Sequence, residues 1–161
     1  MSKISALPYE DENFEMPGED AQELARSHHV AGNFVLAERS YRDILKAVPD
    51  NPTVNHLLGA LLFQLGNYDA ALHYMTISID LVPEEKQYWN NYGSVQCMAE
   101  DYDGALQSLD KALEIDPAFV EAWNRRSLSC WQAGLYEEGE ANARKVLEMS
   151  PHHLDGSINL G

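Results

Sequence analysis

The chain has 161 residues, a length that fits one domain, and its 10 Gly and 7 Pro exclude collagen-like and low-complexity architectures. Hydrophobic residues make up 45% of it, enough for a packed core, and Ala and Leu total 36 against 16 for Val, Ile and Thr together, which favours helix over sheet. Eleven basic residues against 26 acidic ones give a net charge of −15, and because phosphate backbones and anionic lipids are held by Lys and Arg, neither nucleic acid nor a membrane is expected as a partner.

The N-terminal segment, residues 1–17, carries a net charge of −3 and no periodicity, and is expected to be an acidic flexible or extended leader. It has one Lys and no apolar stretch, so it does not look like a secretory signal. Further along, the longest apolar run, Leu57 to Phe63, is seven residues against the roughly 20 of a spanning helix. Cys97 and Cys130 match no zinc or redox spacing and suit a reducing, cytoplasmic compartment.

From residue 18 onward the chain is periodic. Pro49, Pro83, Pro117 and Pro151 lie 34 residues apart. Twelve residues before them stand the small residues Ala37, Ala71, Ala105 and Gly139, and fifteen before them the aromatics Phe34, Tyr68, Tyr102 and Tyr136. Gly32, Gly66, Glu100 and Gly134 form another column, and Ala25, Gly59, Gly93 and Ser127 a fourth, which Gly161 continues. A period in this range marks a solenoid or array. The units are 18–51, 52–85, 86–119 and 120–153, and residues 154–161 start a fifth.

Each unit is expected to be a pair of helices. In the third, Gln87 to Ala99 is one helix, a break follows at Glu100-Asp101-Tyr102, and Ala105, Leu106, Leu109, Ala112 and Leu113 form the apolar stripe of a second. Pro117 ends the unit because it lacks an N–H and biases Asp116 away from the helical region. Small residues at 93 and 105 suit a close helix crossing. The fourth unit departs from the pattern, with Arg126 in an apolar column and Gly139 in an Ala column. Looser packing is expected there, or an acidic neighbour for Arg126.

A 34-residue helix–turn–helix unit carrying Trp89, Tyr92, Gly93, Tyr102, Ala105, Ala112 and Pro117 resembles the tetratricopeptide repeat family, and the resemblance covers residues 18–161. It implies an all-α, right-handed α–α superhelix of four repeats plus the start of a fifth. It also implies that the first helix of each unit lines a concave groove. The residues then expected to face a partner are Gln22, Arg26, His56, Phe63, Asn90, Asn91, Ser94, Asn124, Arg125 and Trp131.

Asn side chains carry a donor and an acceptor that match a peptide group, and Asn90, Asn91, Asn124 and Asn159 recur at adjacent unit positions. The expected function is therefore a scaffold that binds an extended, neutral or basic protein segment. The alternative is the docking region of a larger transferase, because unit one also resembles bacterial tetratricopeptide proteins, some of which continue into a glycosyltransferase, sulfotransferase or methyltransferase. Helix two of unit four, with Val146, Leu147 and Met149, lacks a complete following helix, so self-association through that end is a further expectation.

No chemistry of its own is expected. His28-His29 and His152-His153 are adjacent pairs that offer one ligand per helix face at best, and no H-E-x-x-H exists. Ser127 to Cys130 has no nearby His, and the glycines fall in repeat columns rather than in a phosphate loop. No catalytic, cofactor or metal site is assigned.

Overall fold

In the computed structural model, which describes residues 18–150, eight helices follow one another: α1 (Gly18–Val30), α2 (Phe34–Ala47), α3 (Pro52–Gln64), α4 (Tyr68–Leu81), α5 (Lys86–Met98), α6 (Tyr102–Ile115), α7 (Val120–Gln132) and α8 (Tyr136–Met149). The leader, residues 1–17, and the start of a fifth unit, 154–161, lie outside the described residues. Each consecutive pair is an antiparallel hairpin, and each hairpin packs on the next. The first helices α1, α3, α5 and α7 also approach one another closely in succession, whereas the second helices are splayed and meet through long side chains, as where Arg42 of α2 donates to Tyr74 OH of α4 at 2.8 Å. That asymmetry curves the stack, with first helices inside and second helices outside.

Local chemistry sets the boundaries. Asn51, Asn67, Glu85 and Asp101 each accept a hydrogen bond from a first-turn amide, those of Val54, Ala70, Gln87 and Gly104. Between the helices of a unit the chain turns through one residue in the left-handed region: Gly32 at φ 76°, Gly66 at 77° and Gly134 at 79°. Unit three makes the same turn with Glu100, at φ 64°.

Between units, the side chain at the fourth position of α3, α5 and α7 holds the preceding proline turn. Trp89 Nε1 donates to Pro83 O at 2.8 Å and Trp123 Nε1 to Pro117 O at 2.9 Å. In unit two Asn55 Nδ2 does the same work on Pro49 O, also at 2.8 Å. A buried amide thus replaces an indole donor.

The core runs along the hairpin crossings, with Tyr41, Leu58, Leu61, Met75, Val95 and Leu109 fully buried. Backbones meet where the sequence is small. A Cβ on Gly59 would lie 2.6 Å from Met75 Cγ and 3.1 Å from Ala71 O. One on Gly93 would lie 3.0 Å from Leu109 Cγ and 3.1 Å from Ala105 O. Gly139 is not the loose spot expected of it. The indole of Trp131 occupies the space, 2.8 Å from where a Cβ would sit.

Arg126 is accommodated by its neighbours. Its Nε donates to Asp110 Oδ1 at 2.7 Å across the unit boundary, and Glu138 lies 3.8 Å away. Burial disfavours the charge, but the hydrogen bond and charge of Asp110 outweigh that and hold the guanidinium above its ordinary pKa.

Candidate functional site

The concave face is built from one repeated device, a side-chain rung that joins first helices across a unit boundary. A residue reaches the one 35 positions later, which is one step along the next helix. His29 Nε2 donates to Gln64 Oε1 at 3.2 Å between units one and two, and Tyr41 OH supports its Nδ1 from 3.3 Å. Asn91 Nδ2 donates to His56 Nε2 at 3.0 Å between units two and three. The Cys97 thiol donates to Gln132 Oε1 at 2.7 Å between units three and four. Ser129 Oγ donates to the same sulfur at 3.2 Å.

The rungs change what the expected site residues can offer. Asn91 faces the groove with both amide atoms engaged, since Gln87 Nε2 donates to its Oδ1 at 3.2 Å. His56 is only 8% exposed and stacked on Tyr88, with ring centroids 4.4 Å apart. Burial pushes its pKa down to about 4, opposed in part by the negative charge of Glu85. It is neutral at pH 7, accepts through Nε2, and carries its proton on a buried Nδ1 that has no partner. Asn90, at the same unit position in α5, is fully buried with neither amide atom partnered.

The remaining expected residues are spread along the face. Gln22 is half-buried and Arg26 is exposed, 3.8 Å from Glu23. Phe63 is half-buried and tilts against Tyr68 at 5.8 Å. Ser94 donates to the Asn90 carbonyl at 2.9 Å and accepts from Arg125 Nη1 at 2.7 Å. Asn124 is exposed, and Trp131 is half-exposed beside Tyr136 at 5.3 Å.

Among the described residues the fifth position is buried in units two and three, at His56 and Asn90, and exposed in unit four, at Asn124. Leu128 (57% exposed) and Met98 (50%) also present apolar surface here. Neither was singled out in the sequence. Leu128 holds the same unit position as Ala60 and Ser94, so the repeat register alone could have found it.

Among the described residues there is no group of three or more His, Cys, Asp or Glu able to hold a metal ion. Cys97 and Cys130 are both free thiols. No described helix is long and apolar enough to cross a membrane.

These features define a class, an α-solenoid of helical hairpins with a polar concave face. The family profile described as "Tetratricopeptide repeat" matches residues 56–118 and 99–153. The chain belongs to the tetratricopeptide repeat family. Solved structures agree on the superhelical fold. A crystal structure of MamA superposes with a TM-score of 0.78 at 21% identity, covering 83% of this chain and 78% of that one. YrrB, described as a TPR protein with an unusual peptide-binding site, gives 0.77 at 18% identity over 84% of this chain and 70% of its own. A K341M mutant of the Thermobaculum terrenum O-GlcNAc transferase gives 0.76 at 26% identity, with 81% of this chain matched to 26% of that chain.

Proposed function

We propose that the protein is a non-catalytic interaction scaffold whose concave face binds an extended segment of a partner protein. The observation that carries this is the groove itself. First helices line it throughout, amide, hydroxyl and guanidinium groups alternate with Phe63, Met98, Leu128 and Trp131, and Asn124 is open in α7. A half-exposed Trp and an exposed Leu are apolar anchors, and such side chains dominate binding energy once covered. YrrB, a fold neighbour, has a peptide-binding site. The −15 charge favours partners that are neutral or basic overall and speeds their encounter at low salt. Two free thiols suit a reducing, cytoplasmic setting.

The test is capture of partners by wild type and by a Phe63→Ala/Trp131→Ala variant, with Gln107→Ala on an outer helix as control. The groove variant should lose its partners by about tenfold in affinity, which corresponds to about 1.4 kcal/mol. Recovery of the same partners by the groove variant, or their loss from the control, refutes the reading.

A second reading makes these units the docking region of a larger transferase. It is favoured by the 26% identity to the Thermobaculum terrenum enzyme, only 26% of whose length this chain matches. The reading frame that contains residue 161 decides it. A transferase domain downstream supports it, and an in-frame stop soon after excludes it.

A further inference from the structure

Unit four breaks the repeat at one corner, the turn from α7 into α8. Asn33, Asn67 and Asp101 precede the second helices of units one to three, whereas Leu135 precedes α8. Asn67 and Asp101 accept from first-turn amides, and Leu135 has no side-chain acceptor to offer. Its side chain is exposed instead. The residue before the second helix is exposed in all four units, including the three that a further unit follows, so a missing neighbour does not account for it. The aromatic next in line also departs from its column. Tyr136 is 60% exposed, while Phe34, Tyr68 and Tyr102 are half-buried.

A second aromatic comes from α7. The indole of Trp131 lies over Gly139, in the space that a Cβ would fill, and stays half in solvent. Trp131 and Tyr136 form a tilted pair, with ring centroids 5.3 Å apart and planes inclined at 52°. Tyr136 also borders a hollow of about 350 Å³, together with Gly134, Leu135, Glu137 and Glu138. Both carboxylates are exposed. Glu138 lies 3.8 Å from Arg126, and among the described residues Glu137 has no cation within 4.0 Å. First-turn carboxylates help an uncapped helix through its dipole, but that gives no reason for an exposed Leu and Tyr beside them. An Asn cap would serve stability better. A local rule broken without structural return is what a functional surface is expected to show.

We propose that the α7–α8 corner binds a basic side chain of a partner protein, Arg in preference to Lys. The aromatic faces attract a cation, the carboxylates pair with it, and Leu135 covers its aliphatic stem. A planar guanidinium stacks on a ring while its fork meets a carboxylate, which an ammonium does not match. The partial positive charge at the start of α8 opposes a cation, but two full negative charges outweigh it. The site needs nothing bound in the groove, although Trp131 borders both.

The test is NMR titration of the full 161-residue chain, reading the Trp131 indole N–H and the Leu135 methyl resonances. Three pools of short capped peptides, otherwise uncharged, carry a central Arg, Lys or citrulline, the last a neutral isostere of Arg. The Arg pool should shift both resonances saturably, with citrulline about tenfold weaker and Lys between them. Glu137→Gln should weaken the Arg pool by about threefold. Leu135→Asn restores the cap and should raise the melting temperature by about 2–4 °C while it weakens the Arg pool. A Leu135 with a purely structural role would move only the melting temperature.

Equal binding of the Arg and citrulline pools overturns the proposal, as does Arg-pool binding that Leu135→Asn leaves unchanged. Shifts that spread over the acidic surface without saturating overturn it too, since a net charge of −15 attracts any cation. Saturable shifts at Phe63 and Asn124 but not at the corner refute this site and leave the groove reading standing. Saturable shifts at the corner alone support the site and leave the groove reading to its own test. None at millimolar peptide refutes the site.

Discussion

The left-handed turn inside each unit offers the sharpest energetic test, because three units make it with Gly and one with Glu. At Gly32, Gly66 and Gly134 a Cβ would meet nothing within 4 Å, so sterics from neighbours play no part. What remains is torsion. An L-residue pays about 1–2 kcal/mol to occupy the left-handed region, and Gly offsets roughly 0.5–1 kcal/mol of that through the entropy of the unfolded chain. Replacing Glu100, at φ 64°, with Gly should therefore stabilise the fold by roughly 0.5–1 kcal/mol. In a chain of this size that is about 1–4 °C in melting temperature. Gly66→Ala, at φ 77°, should move it the other way by a similar amount. Calorimetry on the two variants beside wild type gives both signs at once. Destabilisation by Glu100→Gly, or no loss with Gly66→Ala, would show that the turn is not held in the left-handed region.

Three further outcomes follow from the packing and the rungs. Ala105→Leu drives a side chain into a fully buried crossing and should cost about 1–3 kcal/mol in urea unfolding, whereas Ala70→Leu, half-buried beside Ala71, should cost much less; equal shifts would refute the register. Arg126→Leu removes a largely buried charge from a column that is apolar in units one and two and should be neutral or stabilising by up to about 2 kcal/mol, while Asp110→Asn, which leaves the guanidinium without its closest carboxylate, should destabilise. His56, with its pKa held near 4 in the fold against an ordinary 6.5, contributes stability that is complete above pH 6.5 and lost as pH falls from 6.5 toward 4, because the unfolded chain binds the proton first; a His56→Phe chain should show a flatter pH–stability curve over that window.

The fold was legible because 34-residue columns of Pro, Gly, Ala and Tyr each have a mechanical reason that survives in the structure. Pro ends second helices, Gly admits the left-handed turn, and small residues sit where a Cβ on Gly59 or Gly93 would come within 3.1 Å of a carbonyl oxygen of the facing helix. Even the odd residues were partly readable: Arg126 has the acidic neighbour foreseen for it, though on α6 as well as α8. Gly139 misled, because the side chain that fills its space, Trp131, belongs to a column expected to face the groove, and its indole packs over Gly139 while staying 49% exposed. For the residues expected on the concave face, the sequence places them in register but does not say which are occupied. Register says that Asn90, Asn91 and Asn124 fall on neighbouring steps of the inner helices. It does not say that Asn90 is buried, that Asn91 spends its amide on His56 and Gln87, and that Asn124 stands open. Those facts depend on which side chains lie against each residue in the folded stack, and that is tertiary.

Occupancy also decides how the groove can be used. A ladder of free Asn amides would read any peptide backbone, and removing Asn91 would weaken binding without touching stability. With Asn91 bonded to His56 across the boundary between units two and three, its truncation strips the neutral imidazole of its donor and opens a gap on the inner edge. Leaving a buried polar group unpaired costs about 1–3 kcal/mol, so Asn91→Ala should lower the melting temperature whether or not a partner is present. Asn124→Ala, on an exposed side chain, should leave it unchanged and affect binding alone. Measured separately, the two variants distinguish a side chain spent on packing between units from one left available to a ligand. If Asn91→Ala melts like wild type and loses the same affinity as Asn124→Ala, the rung at His56 is not formed in solution and the whole face is available to ligand.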